Sequence, residues 1–215
     1  MDNGKTGGES IIRVAIIDDH AIVRMGLKYS LSLEPDFEFA GEHSGGEGAG
    51  EFVARVRPDV VLLDVRMPVV NGIEALEDIR RKAPDAKVLM LTTSDGDEDV
   101  FRSMNKGARG YMVKDESGED LHVAIRTVAS GEVFLPKRIK AIYDDRKKRP
   151  SLSEREIEIV RLVAKGFSND ELAERLHLSP DTIKVHLRHV YEKLGVESRV
   201  EAVTEAMRTG LVEAP

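Results

Sequence analysis

Three carboxylates in this sequence stand where a phosphate-handling or metal-binding site could be built. Asp18 and Asp19 close the apolar run IIRVAII, and Asp64 closes DVVLL. Two more residues hold matching places after later apolar runs, Thr92 behind AKVLML and Lys114 behind ARGYMV. If each run is a strand of one parallel sheet, all five side chains reach the same carboxyl edge, where open α/β sheets bind ligands. Three anions crowded together repel unless a cation sits among them. A hard ion such as Mg²⁺ takes a few carboxylates together with water and phosphate oxygens. A carboxylate nucleophile, a metal, a hydroxyl donor and an ammonium form a phosphoryl-transfer set. A single acid at a strand end more often caps a helix or faces water, and a lone Thr or Lys means little. The doublet combined with Asp64 inside LLDVRMPVVNG carries the reading. No Walker-type glycine-lysine loop occurs, so the chain is not expected to use ATP itself.

The elements needed to position these groups are legible in the periodicity. From residue 11 to about 135, IIRVAII, FEFAG, DVVLL, AKVLML and ARGYMV are strand candidates, short and mostly rich in β-branched residues. Between them lie stretches with helical spacing, such as Val23, Leu27 and Leu31, or Ile73, Leu76 and Ile79. Five β-α repeats predict a parallel sheet with helices on both faces. The second helix should start late, because Gly45, Gly46, Gly48 and Gly50 crowd it and each interior glycine costs about 1 kcal/mol. PKRIKAIYDDRKKRP, bounded by Pro136 and Pro150, reads as a charged, partly helical linker. Beyond it the pattern is all helical. Ser153 with Glu156, Ser168 with Glu171 and Ser198 with Glu201 predict capping boxes, and Ser179 before Pro180 marks a fourth start. Gly166 and Gly195 stand where helices should stop. The expected division is residues 11–132, a linker over 133–150, and a small all-α domain over 151–212.

Composition bounds the function classes. A chain of 215 residues with 41% hydrophobic and 33% charged side chains is globular rather than disordered. The absence of cysteine excludes disulfides and thiolate metal sites. No run of eighteen apolar residues suggests a membrane span, and MDNGKTGGES lacks the basic and apolar blocks of a signal peptide. It reads as a flexible tail on a cytoplasmic protein. The net charge of −7 divides unevenly. Residues 1–135 carry 16 basic and 25 acidic side chains (−9), residues 136–150 carry 7 and 2 (+5), and residues 151–215 carry 9 and 12 (−3). Nonspecific attraction to DNA is therefore weak, and any DNA binding must use a local basic patch.

Such a patch is visible in SPDTIKVHLRHVYEKLG. At about 100° per residue, Ile183, Leu187, Val190 and Leu194 share a core-facing stripe. Lys184, Val185 and Arg188 fall on another face. A basic face on a helix that follows a short helix and a tight turn suits a helix-turn-helix; Lys and Arg can donate to guanine, and Val can meet a thymine methyl. On periodicity alone, an ordinary solvated face is an equally good account.

The motifs IIDDH, LLDVRMP, LTTS and MVKD, in this order and spacing over residues 11–130, resemble a response-regulator receiver domain. Residues 151–205 resemble a LuxR-type helix-turn-helix, and the pair together resembles the NarL/FixJ family. The resemblance implies a flavodoxin-like, five-stranded receiver joined to a small all-α DNA-binding domain. It implies that Asp64 accepts a phosphoryl group from a phosphohistidine of a sensor histidine kinase. Asp18, Asp19, Asp64 and the backbone carbonyl of Arg66 would hold Mg²⁺, and Lys114 would assist. Thr92 and Tyr111 match the switch pair, Thr92 turning to the phosphoryl group and Tyr111 swinging inward behind it. Lys184, Val185 and Arg188 would meet bases, and Thr182, His189 and Lys193 phosphates. The last helix would supply the dimer contact on DNA, although Val200, Val203 and Met207 equally suit the domain's own core. The acids Glu154, Glu156 and Glu158 would face away from DNA, toward RNA polymerase or the receiver. The expected mechanism is a switch rather than a conventional enzyme: an unphosphorylated arrangement blocks dimerisation, DNA docking or both. Phosphorylation yields a homodimer on inverted half-sites about 34 Å apart. Two rivals stay open. One is a constitutive DNA-binding regulator whose receiver only dimerises or senses a small molecule. The other is a small-phosphate hydrolase, which usually carries a second acid where this chain has Arg66.

Overall fold

The structure, a computed structural model, describes residues 11–93, 96–114, 118–148, 151–209 and 211–212. The expected N-terminal tail and Asp115 of the MVKD motif lie outside these residues. Contacts divide the chain into two compact units, residues up to 95 with 102–140, and residues 96–101 with 141 onward.

The first unit is built on five strands: β1 (Ile12–Ile17), β2 (Phe37–His43), β3 (Val60–Asp64), β4 (Lys87–Thr92) and β5 (Gly110–Val113). They pair in the order β2-β1-β3-β4-β5, parallel throughout. Between them run α1 (Ala21–Ser32), α2 (Ala49–Val56), α3 (Gly72–Lys82) and α4 (Asp97–Asn105), and α5 (Gly118–Ala129) follows. The central β3, VVLLD, is buried at every position because helices cover both faces of the sheet. On one face Val14, Ile16, Leu62, Leu89 and Leu91 form a core with Leu31 of α1 and with Leu121, Ile125 and Val128 of α5. Removing a residue such as Ile16 from water contributes roughly 1.5–3 kcal/mol, which is what fixes the register of the strand ends.

Helix α2 starts late, as its glycines predict, with Gly48 at φ 74° as N-cap. Gly50 has a steric reason beyond propensity. Its N–H donates to Asp78 Oδ2 at 3.1 Å, and a Cβ there would lie 2.8 Å from the Asp78 carbonyl oxygen. The glycine is what lets α2 approach α3.

The basic linker forms α6 (Lys137–Arg146). The helical domain follows as α7 (Glu154–Ala164), α8 (Asn169–Leu176), α9 (Pro180–Leu194) and α10 (Arg199–Arg208). Its interior joins Ile159, Val163, Leu172, Leu176, Ile183 and Leu187, with a second cluster around Ile157, Val160, Val190 and Ala206. The capping boxes expected at Ser153 and Ser168 are complete. The third is corrected. Ser198 accepts from Glu201 N–H, but the Glu201 carboxylate reaches one residue further back, to the N–H of Glu197 at 2.9 Å. Gly166 and Gly195 take the positive φ values that helix ends require, 89° and 68°. Among the described residues no helix is long and apolar enough to cross a membrane.

Glu156 is not a surface acid. It is buried, accepts from Ser153 N–H at 2.7 Å, and pairs with Lys193 Nζ at 2.7 Å. Burial raises its pKa, but the Lys193 and Ser153 bonds outweigh that and hold the carboxyl below the usual glutamate range. A depressed carboxyl contributes stability above its unfolded pKa and loses it as pH falls through the folded value. Protection factors of α7 amides should therefore fall on acidification in the intact chain, and less steeply in Glu156→Gln. Glu156→Ala should cost about 2 kcal/mol of this domain's stability at neutral pH, read from the same protection factors.

Candidate functional site

The strand ends bring the pocket residues together. β1 delivers Asp18, whose N–H donates to His43 O at 3.2 Å, and β3 ends at Asp64. Thr92 ends β4, and its carbonyl accepts from Lys114 N–H at 2.6 Å, tying the residue after β5 to the neighbouring strand. Lys114 Nζ then stands 2.7 Å from Asp18 Oδ2 and 3.0 Å from Asp64 Oδ2. Asp18, Asp64 and Thr92 are all buried. Burial pushes the Asp64 carboxyl above the usual aspartate range; Lys114 opposes the shift, and the Asp18 charge adds to it.

One ammonium cannot balance three carboxylates. Ligand atoms of Asp18, Asp19, His20 and Asp64 lie within 4.8 Å of one another. Asp19 Oδ1 is buried without a hydrogen-bond partner, its contact with His20 Nδ1 at 2.9 Å lacking hydrogen-bond geometry. An acceptor oxygen left over in an anionic cluster fits a hard divalent cation. His20 is a member of this cluster that sequence reasoning passed over. The backbone N–H of Arg66 donates to Asp64 Oδ1 at 3.3 Å, which orients that carboxylate. Tyr111 is fully buried.

The second site is the outer face of α9. Ile183, Leu187 and Val190 are buried, Leu194 is half-buried, and Lys184, Val185 and Arg188 are exposed, as the periodicity predicts. Lys184 Nζ reaches only Asp181, at 3.0 Å, and Arg188 lies 3.9 Å from Glu192; exposed pairs of this kind are worth little and open readily. Thr182 and His189 are half-buried, with the Thr182 hydroxyl 2.8 Å from that of the N-cap Ser179. Lys193 faces inward to Glu156.

Comparison with known proteins identifies both domains. Residues 14–126 match the family described as response regulator receiver domain, and residues 150–206 match bacterial regulatory proteins of the luxR family. The response regulator VraR of Staphylococcus aureus is 37% identical, over 94% of this chain and 99% of its own. The transcriptional regulatory protein DegU of Brevibacillus brevis is 33% identical, over 95% and 97%. The structure of RcsB from Salmonella enterica serovar Typhimurium, bound to a promoter in the presence of the phosphomimetic BeF3-, superposes with a TM-score of 0.68 at 25% identity, over 92% of this chain and 98% of that one. This chain is a NarL/FixJ-family response regulator.

It thus belongs to a family of DNA-binding transcription regulators rather than enzymes. Arg24, Gly72 and Val69 also shape the regulator's pocket. Arg24 donates to the Asp18 carbonyl at 2.7 Å, bracing the acidic doublet from α1. A Cβ on Gly72 would lie 1.9 Å from the Asp64 carbonyl oxygen, so only glycine lets the start of α3 pass behind Asp64. Val69 has φ 67°, and Val70 N–H donates to Pro68 O at 2.8 Å, closing a three-residue turn on a β-branched residue. Nothing in the sequence marks Val69 as strained.

Gly72→Ala should destabilise the regulator by roughly 3 kcal/mol in urea denaturation, because the methyl group meets backbone that cannot yield. Val69→Gly should do the opposite. Val69 is 91% exposed, so little packing is lost. Relief of backbone strain should exceed the glycine entropy cost by about 1 kcal/mol, raising the melting temperature by a few degrees.

Proposed function

We propose that Asp64 is the phosphoacceptor of a two-component switch and that its phosphorylation controls dimerisation and sequence-specific DNA binding. The carrying observation is a buried Asp64 held 3.0 Å from Lys114 and beside Asp18, in a chain that ends in a LuxR-type domain. An Asp64 oxygen attacks the phosphorus of a phosphohistidine on a sensor histidine kinase. The P–N bond breaks, the imidazole leaves with the electron pair, and an acyl phosphate forms that water later cleaves. Lys114 neutralises phosphoryl oxygens and the Thr92 hydroxyl donates to one of them. Asp18, Asp19, Asp64 and the Arg66 carbonyl would hold Mg²⁺, which when bound supplies charge neutralisation for the incoming phosphoryl group. Thr92 and Tyr111 then form the switch pair, since a phosphoryl group brings roughly two negative charges and three acceptor oxygens to this strand edge.

The DNA side of the proposal rests on α9. Lys184, Val185 and Arg188 read base edges in inverted half-sites, and Thr182 and His189 contact phosphates. Lys193 can join them only by leaving Glu156. The domains are a receiver over 11–132, a linker over 133–150 and a DNA-binding domain over 151–212. The protein works in the cytoplasm as a homodimer when phosphorylated, and the acids Glu154 and Glu158 of α7 offer RNA polymerase a surface; both are exposed.

Acetyl phosphate with Mg²⁺ should label wild type and leave Asp64→Asn unlabelled, by intact mass. Labelling of both proteins, or of neither, rejects Asp64 as the acceptor. Lys184→Ala and Arg188→Ala should each cost about 1–3 kcal/mol at a preferred site and flatten sequence preference, measured by fluorescence anisotropy on matched and scrambled duplexes.

A further inference from the structure

We propose that the linker helix α6 is a second DNA contact, a lysine stripe that grips backbone phosphates flanking the site read by α9. The proposal rests on the DNA-binding reading above and adds a surface to it. One side of α6 is taken up by packing. Ile139 and Arg146 are buried, and Ile142 and Tyr143 are half-buried, a spacing of three and four residues. Within its compact unit this side meets Phe101 and Glu98. The Tyr143 and Phe101 rings lie 6.0 Å apart, Arg146 Cζ stands 4.6 Å from the Phe101 ring centroid, and Arg146 Nε donates to Glu98 at 2.7 Å.

The opposite side carries the charge. At about 100° per residue, Lys137, Lys140, Lys147 and Lys148 fall within roughly 100° of one another, and all four are exposed. Lys147 and Lys148 lie just past the helix but stay in line with it, since Lys147 N–H donates to Tyr143 O at 2.9 Å and Lys148 N–H to Asp145 O at 3.1 Å. At about 1.5 Å per residue the stripe is roughly 16 Å long, and Asp144 is the one acid inside its arc.

A run of charge on a helix is often no more than a solvated face. Here its sign and its lack of partners point to a polyanion. Residues 136–150 carry +5, against −9 before them and −3 after them. Among the described residues, Lys137, Lys147 and Lys148 pair with no carboxylate, although acids outnumber cations in the chain by 39 to 32. Duplex DNA presents one negative charge about every 1.7 Å of its axis, and counterion release from neutralised phosphates supplies much of a protein's affinity. The reading helix is poor in such contacts. Of Thr182, His189 and Lys193 only the last is a permanent cation, and Glu156 holds it at 2.7 Å. Elsewhere in the domain Arg155 pairs with Glu158, Arg199 donates to Asn169 Oδ1, and Arg208 pairs with Glu205.

The linker also enters the domain at the right place. Glu156 Oε2 accepts from Ser153 N–H and from Lys193 Nζ, both at 2.7 Å, so the chain enters α7 beside the last turn of α9. Lys148 precedes Ser153 by five residues, at most about 18 Å of chain. With α9 in a major groove, the stripe is within reach of the backbone next to that end of the helix. Contacts of this kind position a protein without reading sequence.

The test is fluorescence anisotropy of the full chain with Mg²⁺ and beryllofluoride, on labelled matched and scrambled duplexes, between about 50 and 200 mM salt. The triple variant Lys137→Gln, Lys147→Gln, Lys148→Gln should bind both duplexes about tenfold more weakly or worse. Its slope of log affinity against log salt should be shallower by about 0.9 per lysine. Its preference for the matched duplex should stay that of wild type, whereas Lys184→Ala lowers that preference. The counterpart Lys137→Arg, Lys147→Arg, Lys148→Arg should keep both affinity and slope, because charge carries the contact. A glutamine variant with wild-type affinity and slope overturns the stripe and leaves α9 as the DNA reader. Weaker binding at an unchanged slope also overturns it, since lost phosphate contacts must show in the slope. Tighter binding overturns it too, by assigning the lysines to the chain's own acidic surface. A wild type that binds neither duplex, with beryllofluoride or without it, overturns the DNA-binding reading and the stripe together.

Discussion

Asp18 and Asp64 are buried carboxylates from two adjacent strands, and they share one ammonium, that of Lys114. Taking such charges out of water costs several kcal/mol each, and their mutual repulsion adds to that cost. The arrangement persists because the surrounding structure leaves the groups no other place. β1 and β3 pair in register through Ile17 and Leu63, and the Thr92 carbonyl holds the backbone of Lys114. The apolar core of the sheet therefore stabilises an electrostatic situation that is unfavourable by itself. That residual imbalance is what makes the pocket responsive, since any ligand that changes its charge changes a term the fold cannot relax.

The neighbouring backbone shows the same division between stability and function. Gly72 gives up helix propensity so that α3 can pass behind Asp64, and Asn71 restores the loss by accepting from the N–H groups of Ile73 and Glu74, both at 3.0 Å. Val69 keeps a conformation that a β-branched residue disfavours, on the loop after Asp64 and in full contact with water. Strain stored in a loop beside an otherwise relaxed sheet is characteristic of functional loops.

Much of this was legible in the residues. Alternating apolar runs and helical spacing were enough for the five parallel strands, because burial on both faces leaves little choice of residue in strands such as VVLLD. The caps at Ser153, Ser168 and Ser179 were legible because capping is local chemistry. What escaped depended on non-local approach. The steric role of Gly50 exists only because Asp78 lies opposite it, and the burial of Glu156 only because Lys193 arrives from α9. His20 and Arg24 joined the pocket unannounced, since a histidine and an arginine in a first helical turn look like ordinary solvated residues until the strand end behind them is placed. The displaced bond of Glu201 marks another limit: a motif names the donors and acceptors within reach but not which one is taken.

On α9, Ile183, Leu187 and Val190 bind the helix to its domain, and Lys193 locks it to the buried acid of α7. Lys184, Val185 and Arg188 take no part in that anchoring. Descendants of this gene can consequently exchange the three outward positions with little penalty to folding. In the base-reading role proposed for them, single substitutions would let promoter recognition drift while the scaffold stays under its own, separate selection.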